Sequence, residues 1–206
     1  MTVWEINPKN FEAVVKKAVY ALQKGKVLAC PTDTVYGLLA DAANRKAVGK
    51  VLLIKGREKR KPLPIFVKDI GMAKRLARVR TSQERYMRKV WPGKVTVVLE
   101  SRGILPASPK LQRGEPKETG TQESIGLRIP KHKLVQAILQ KVKTPLTGTS
   151  ANLSGEPPLS DSKEIIEQFS KRKYQPDILI DAGKLPFSRP SKVIDMTGVK
   201  PIIIRK

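Results

Sequence analysis

Short apolar runs, stopped or preceded by proline, alternate along this chain with stretches of helical period, and this alternation limits the fold more than any other feature. Val27–Cys30 stops at Pro31, Ile125–Ile129 stops at Pro130, and Ile65–Val67 follows Pro62 and Pro64, which exclude a helix there. Val95–Glu100, Leu146–Gly148, Ile178–Ile180, Val193–Met196 and Pro201–Ile204 read as further strands. Between them, Phe11, Val14, Val15, Ala18 and Leu22 share one helical face behind a cap at Asn10, with Gly25 as the stop. Ala47, Val48, Val51 and Leu52 do the same within Asn44–Ile54. Ser82–Val90, Leu134–Val142 and Ser162–Phe169 are expected helices, the second turning Leu134, Ala137, Ile138 and the stem of Lys141 inward. The pattern predicts an α/β chain, too irregular for a barrel or a simple doubly wound sheet. With 206 residues it is long enough to bury a core. A single domain over residues 1–206 is expected. Residues 101–124 hold prolines, glycines and charges without periodicity, and are expected to form a long flexible loop.

Charge separates the function classes next. The chain carries 41 basic and 18 acidic residues, formally +23. Such a surface attracts polyanions and steers anionic ligands. The basic residues are spread out, with denser runs at Lys55–Lys61 and Lys171–Lys173. No zinc-finger spacing or aromatic RNA-binding motif accompanies them, so the charge alone fits nucleic-acid contact, plain solubility and a Lys-rich composition of the thermophile kind equally. One cysteine, Cys30, forbids an intramolecular disulfide and fits a reducing compartment. No run approaches the roughly 20 apolar residues that cross a bilayer, and the N-terminus lacks the pattern of a secretion signal. A cytoplasmic protein is expected. One histidine, His132, leaves no usual zinc site and makes a Ser-His-Asp triad a remote option. Neither a GxxxxGK[ST] loop nor a GxGxxG after a strand is present.

Four polar stretches sit at the ends of expected elements, where α/β folds place ligands. Thr32-Asp33-Thr34-Val35-Tyr36-Gly37 gathers hydroxyls between two buried segments. Lys55-Gly56-Arg57 offers a point charge and a bidentate fork around a glycine, suited to phosphate oxygens. Thr147-Gly148-Thr149-Ser150-Ala151-Asn152-Leu153-Ser154-Gly155 offers hydroxyls and an amide beside a turn, and Ser188-Arg189-Pro190-Ser191 precedes a strand. Taken singly, the Lys/Arg pair reads as solvated surface and TSAN as a turn or helix cap.

Together the motifs say more. PTDTVYGL, KGR, WPGKVTVVL, IGLRIPKH, TGTSANLSGEPP and RPSKVIDM, in that order from about Val14 to Ile204, resemble the YrdC/TsaC-type L-threonylcarbamoyladenylate synthases. The resemblance implies a twisted mixed β-sheet with flanking helices and a large concave electropositive cavity. It is to the short form, without the extra C-terminal domain of longer members. It implies that L-threonine, bicarbonate and ATP are joined into threonylcarbamoyl-AMP with release of pyrophosphate. Downstream proteins then transfer the threonylcarbamoyl group to tRNA. By matching positions, Lys55, Arg57, Thr149, Ser150 and Asn152 would bind the nucleotide, Lys55 and Arg57 also acting in catalysis. Thr32, Thr34, Tyr36 and Ser191 would frame the threonine, with Arg128 near its carboxylate or the adenylate. Mg²⁺ would be held mainly by the ATP phosphates. Longer members carry a histidine where this chain has Phe66, and that histidine touches threonine.

The implied chemistry suits a site without a histidine base. Carboxylation of the threonine amine gives an N-carboxylate that is already anionic when it attacks the α-phosphorus. What remains is in-line positioning and cations around the phosphoryl oxygens. The acceptor of the amine proton is unassigned. A basic module that holds double-stranded RNA or tRNA without catalysis is the alternative that the charge favours.

Overall fold

A computed structural model describes residues 1–56, 63–105 and 124–206. The strands fall into two mixed sheets. One has the order β1(Thr2–Glu5), β10(Ile178–Asp181), β2(Leu28–Cys30), β3(Gly37–Leu39), β9(Thr149–Ser150). The other runs β12(Ile202–Arg205), β11(Lys192–Asp195), β6(Val95–Ser101), β7(Ser124–Arg128), β4(Ile65–Phe66), β8(Leu146–Thr147), with β5(Ala77–Arg78) also paired to β6. The helices are α1(Phe11–Gln23), α2(Arg45–Lys55), α3(Ile70–Leu76), α4(Thr81–Val90), α5(Lys133–Val142) and α6(Ser162–Phe169).

Strand alternation explains the layers, because successive side chains point to opposite faces. In the first sheet Leu28, Cys30, Leu39, Ile178 and Ile180 face one core with α1 and α5. Val27, Ala29, Leu38, Ala40 and Leu179 face another with α2 and α6. In the second sheet Ile65, Val97, Leu99, Ile125, Leu127 and Ile194 turn toward α3 and α4. Its opposite face receives the intervening residues, among them Thr96, Arg128 and Phe66, and that face carries the polar cluster described below.

Most expected elements are present within a residue or two. Differences have local causes. In α5 the buried stripe is Leu134, Val135, Ile138, Leu139 and Val142, while Lys141 is exposed and pairs with Glu12 at 3.2 Å. The stripe lies one position round from the expected one because Val135 and Leu139 supply the face that packs on α1. β1 has no buried alternation to announce it, and α3 spans only 7 residues. Leu146–Ser150 is two short strands on different sheets, with Gly148 between them. Of the loop expected over 101–124, Ser101 closes β6 and Ser124 opens β7, and residues 106–123 lie outside the described residues. Among the described residues no helix is long and apolar enough to cross a membrane.

Candidate active site

α2 delivers Lys55. The Asn44 side chain caps the helix by accepting from the Lys46 and Ala47 amides, and Gly56 ends it at φ +59°, a left-handed conformation glycine adopts without strain. Lys55 is therefore the last helical residue, where a cation complements the carbonyl end of the helix. It is buried, at 3% exposure. Its Nζ donates to the carbonyls of Ser150 and Asn152 at 2.8 and 2.9 Å and to Asn152 Oδ1 at 3.1 Å. Ser150 Oγ donates to the same Oδ1 at 2.5 Å. Asn152 Nδ2 donates to the carbonyls of Leu153 and Glu156. The segment is clamped from three sides. Gly37 and Leu38 pair with Ser150 and Thr149, the Ala151 amide donates to Tyr36 O, and the Ser154 amide donates to Lys55 O. Arg57 lies outside the described residues.

The turn after β2 is built from hydroxyls. Thr32 Oγ1 donates to Val35 O at 2.7 Å, accepts from the Thr34 amide, and lies 3.1 Å from Thr34 Oγ1. Because the Thr32 proton goes to Val35, the proton between the two hydroxyls belongs to Thr34, whose oxygen keeps acceptor capacity only. Tyr36 is fully buried. Its hydroxyl donates to Gly183 O at 2.8 Å and accepts from the Ala182 amide at 3.0 Å. Burial pushes this phenol up to about 12. Both capacities of the Tyr36 hydroxyl are thus committed to the backbone after β10.

Arg128 ends β7 on the polar face of its sheet. Its Nη2 donates to Asp33 Oδ1 at 2.6 Å and its Nε to Gly93 O at 2.8 Å. Phe66 lies beneath, its ring centre 5.6 Å from the guanidinium carbon. Burial, the largest influence, holds the Arg128 pKa below its usual value; Asp33 opposes this and the charge of Arg205 adds to it. β6 pairs antiparallel with β7 from Val97 opposite Leu127, and Thr96 and Arg128 are the next residues along the two strands. Thr96 Oγ1 is 3.1 Å from Ser191 Oγ, and Arg205 on β12 donates to the carbonyl and hydroxyl of Ser191 at 2.7–3.1 Å.

The structure thus groups Lys55 with Ser150 and Asn152, and Thr32 and Thr34 flank Asp33, which holds Arg128. Ser191 is joined to Arg205, whose charge Arg128 feels. Phe66 bridges two groups, lying under Arg128 and against Gly148, the residue before Thr149. Arg205 and Thr96 escaped sequence reasoning. The signal for Arg205 was slight, an arginine closing a run of three isoleucines; for Thr96 it was a lone hydroxyl inside an apolar strand.

Residues 20–206 match the family model of Sua5, YciO and YrdC proteins, described as "Telomere recombination". The chain is 33% identical over 204 residues to a putative threonylcarbamoyl-AMP synthase of Methanocaldococcus jannaschii, covering 99% of this chain and 90% of that protein. It is 29% identical to the threonylcarbamoyl-AMP synthase of Pyrococcus abyssi over 93% of this chain, and spans only 53% of that longer protein. Crystal structures agree in fold: P. abyssi Sua5 complexed with L-threonine superposes with a TM-score of 0.83 at 26% identity, over 99% of this chain and 56% of Sua5. E. coli YciO gives 0.84 at 26% identity, over 100% of this chain and 96% of YciO. With its sequence, its two-sheet architecture and its ordered motifs in agreement, the chain belongs to the Sua5/YciO/YrdC family.

Proposed function

We propose that the protein is an L-threonylcarbamoyladenylate synthase. The observation that carries this reading is the buried Lys55–Ser150–Asn152 cluster joined through Gly148 and Phe66 to the Asp33–Arg128 pair beside Thr34. One side offers a cation and polar groups for a triphosphate, to which Thr149 and, by the motif resemblance alone, Arg57 would add. The other offers a zwitterion its two complements, a guanidinium for the carboxylate and, at Thr34, an oxygen that accepts from an amine or hydroxyl. Thr32 and Ser191 frame that side, and Tyr36 supports it from behind through its backbone bonds.

In the first step the threonine amine attacks bicarbonate, forming a C–N bond and releasing water to give the N-carboxylate. In the second, a carboxylate oxygen attacks the α-phosphorus of ATP and pyrophosphate leaves. Lys55 and Arg57 stabilise charge on the phosphoryl oxygens; one well-placed cation contributes on the order of 3 kcal/mol, about a hundredfold in rate. Asp33, the carboxylate held at Arg128, already has both oxygens committed, and among the described residues no group of three His, Cys, Asp or Glu gathers to hold a metal. Mg²⁺ would come in on the triphosphate as MgATP, held mainly by phosphate and water. The product then passes to proteins that modify tRNA in the cytoplasm, and the +23 charge suits contact with tRNA.

The test is pyrophosphate release from ATP with and without threonine and bicarbonate. Release that needs both, and falls about a hundredfold in Lys55→Ala and Arg57→Ala, is expected. Independence of threonine, or near-normal turnover in both variants, overturns the reading. RNA binding with no turnover would favour the non-catalytic double-stranded RNA or tRNA module.

A further inference from the structure

Asp33 is held at both oxygens. Oδ1 accepts from Arg128 Nη2 at 2.6 Å, and Oδ2 accepts from the backbone amide of Lys131 at 2.9 Å. Arg128 is fixed at two further points, by the Gly93 carbonyl on Nε and by the Phe66 ring. Of its three guanidinium nitrogens, Nη1 alone makes no hydrogen bond among the described residues. A guanidinium is planar, so fixing Nε and Nη2 also fixes the direction of the Nη1 hydrogens. Side-chain exposures of 4% for Arg128 and 7% for Asp33 leave the fork little room to swing. The nearby charge of Arg205 means that Arg128, Arg205 and Asp33 together leave one net positive charge, the complement of one carboxylate.

We infer that Asp33 is a positioning residue. It aims Arg128 Nη1 at the amino-acid carboxylate while anchoring beside it the turn that carries the Thr34 acceptor. Asp33 itself touches no substrate and acts through Arg128. This rests on the synthase reading above and deepens it, because it names what sets the distance between the two halves of the threonine site. A merely structural ion pair would change stability without distinguishing threonine from ATP.

The experiment measures kcat and the KM values for threonine and ATP in wild type, Asp33→Asn, Arg128→Gln and the double variant, with melting temperatures alongside. Asp33→Asn has a single oxygen for two donors: turned toward Nη2 it sets its NH2 against the Lys131 amide, and flipped it sets the NH2 against the guanidinium. Its threonine KM is expected to rise about tenfold or more, with the ATP KM and kcat within about threefold. Adding Asp33→Asn to Arg128→Gln is expected to cost under about threefold further, since the residue acted upon is gone. An unchanged threonine KM in an active Asp33→Asn protein, or full additivity in the double variant, overturns the inference. If Asp33→Asn does not fold, Arg128→Lys decides: it keeps the charge but lacks the fork, so weakened threonine binding with retained ATP binding is expected, and unchanged threonine binding overturns the inference. Wild type that consumes no threonine overturns the synthase reading instead.

Discussion

The ring of Phe66 occupies the space that a β-carbon on Gly148 would need. Gly148 is the step by which the chain leaves β8 in one sheet and enters β9 in the other, and its amide donates to Pro64 O at 2.8 Å. Glycine is required there by crowding rather than by φ, and Phe66 is itself pinned between this backbone and Arg128.

Gly148→Ala is therefore expected to destabilise the protein by about 1–3 kcal/mol, the usual cost of overpacking. Melting should drop by roughly 2–4 °C for each kcal/mol in a chain of this size. Adding Phe66→Leu should restore part of the loss, and a calorimetric scan of the single and double variants checks both statements.

Tyr36→Phe removes a hydroxyl that holds Gly183 O and the Ala182 amide together. Leaving buried groups without a partner costs about 1–3 kcal/mol, so denaturant unfolding is expected at lower midpoint. Because the hydroxyl is committed to the backbone, the threonine KM should shift less than about threefold, and steady-state kinetics on the purified variant measures it.

His132 gives the pH dependence a clean probe, since it is the chain's one histidine. Its Nδ1 is buried without a hydrogen-bond partner among the described residues, and burial holds its pKa below the usual 6.5, outweighing the pull of Asp33. The folded state resists a proton that the unfolded chain accepts. Stability contributed by the neutral ring is thus full above about 6.5 and falls as pH drops toward the folded midpoint. An NMR titration of the imidazole protons should give a midpoint below 6.5, and His132→Gln should flatten the loss of stability in that window.

Much of this architecture was legible because burial leaves a period in the sequence. Val14, Val15, Ala18 and Leu22 announced α1, and Ser162–Phe169 was read with its observed bounds, with Asp161 serving as its cap. The motif blocks likewise pointed to Lys55, Ser150 and Asn152. What escaped was what pairing alone decides. β1, with its exposed pattern, exists because β10 offers a parallel edge. Arg205 enters the site only because β12 folds back on β11, and nothing local in Pro201–Lys206 announces that return. The inward hydroxyls of the PTDT turn were readable, but the role of Asp33 between them depends on a partner 95 residues away.

The chain threads its two sheets in alternation: β1 to β3 in the first, β4 to β8 in the second, β9 and β10 back in the first, β11 and β12 again in the second. Any single cut between these blocks leaves at least one sheet short of strands. Such an interleaved thread offers no autonomous fragment on which half of the chemistry survives. Fragments made separately should show no turnover, and splitting the protein for complementation should succeed only where both pieces are made together.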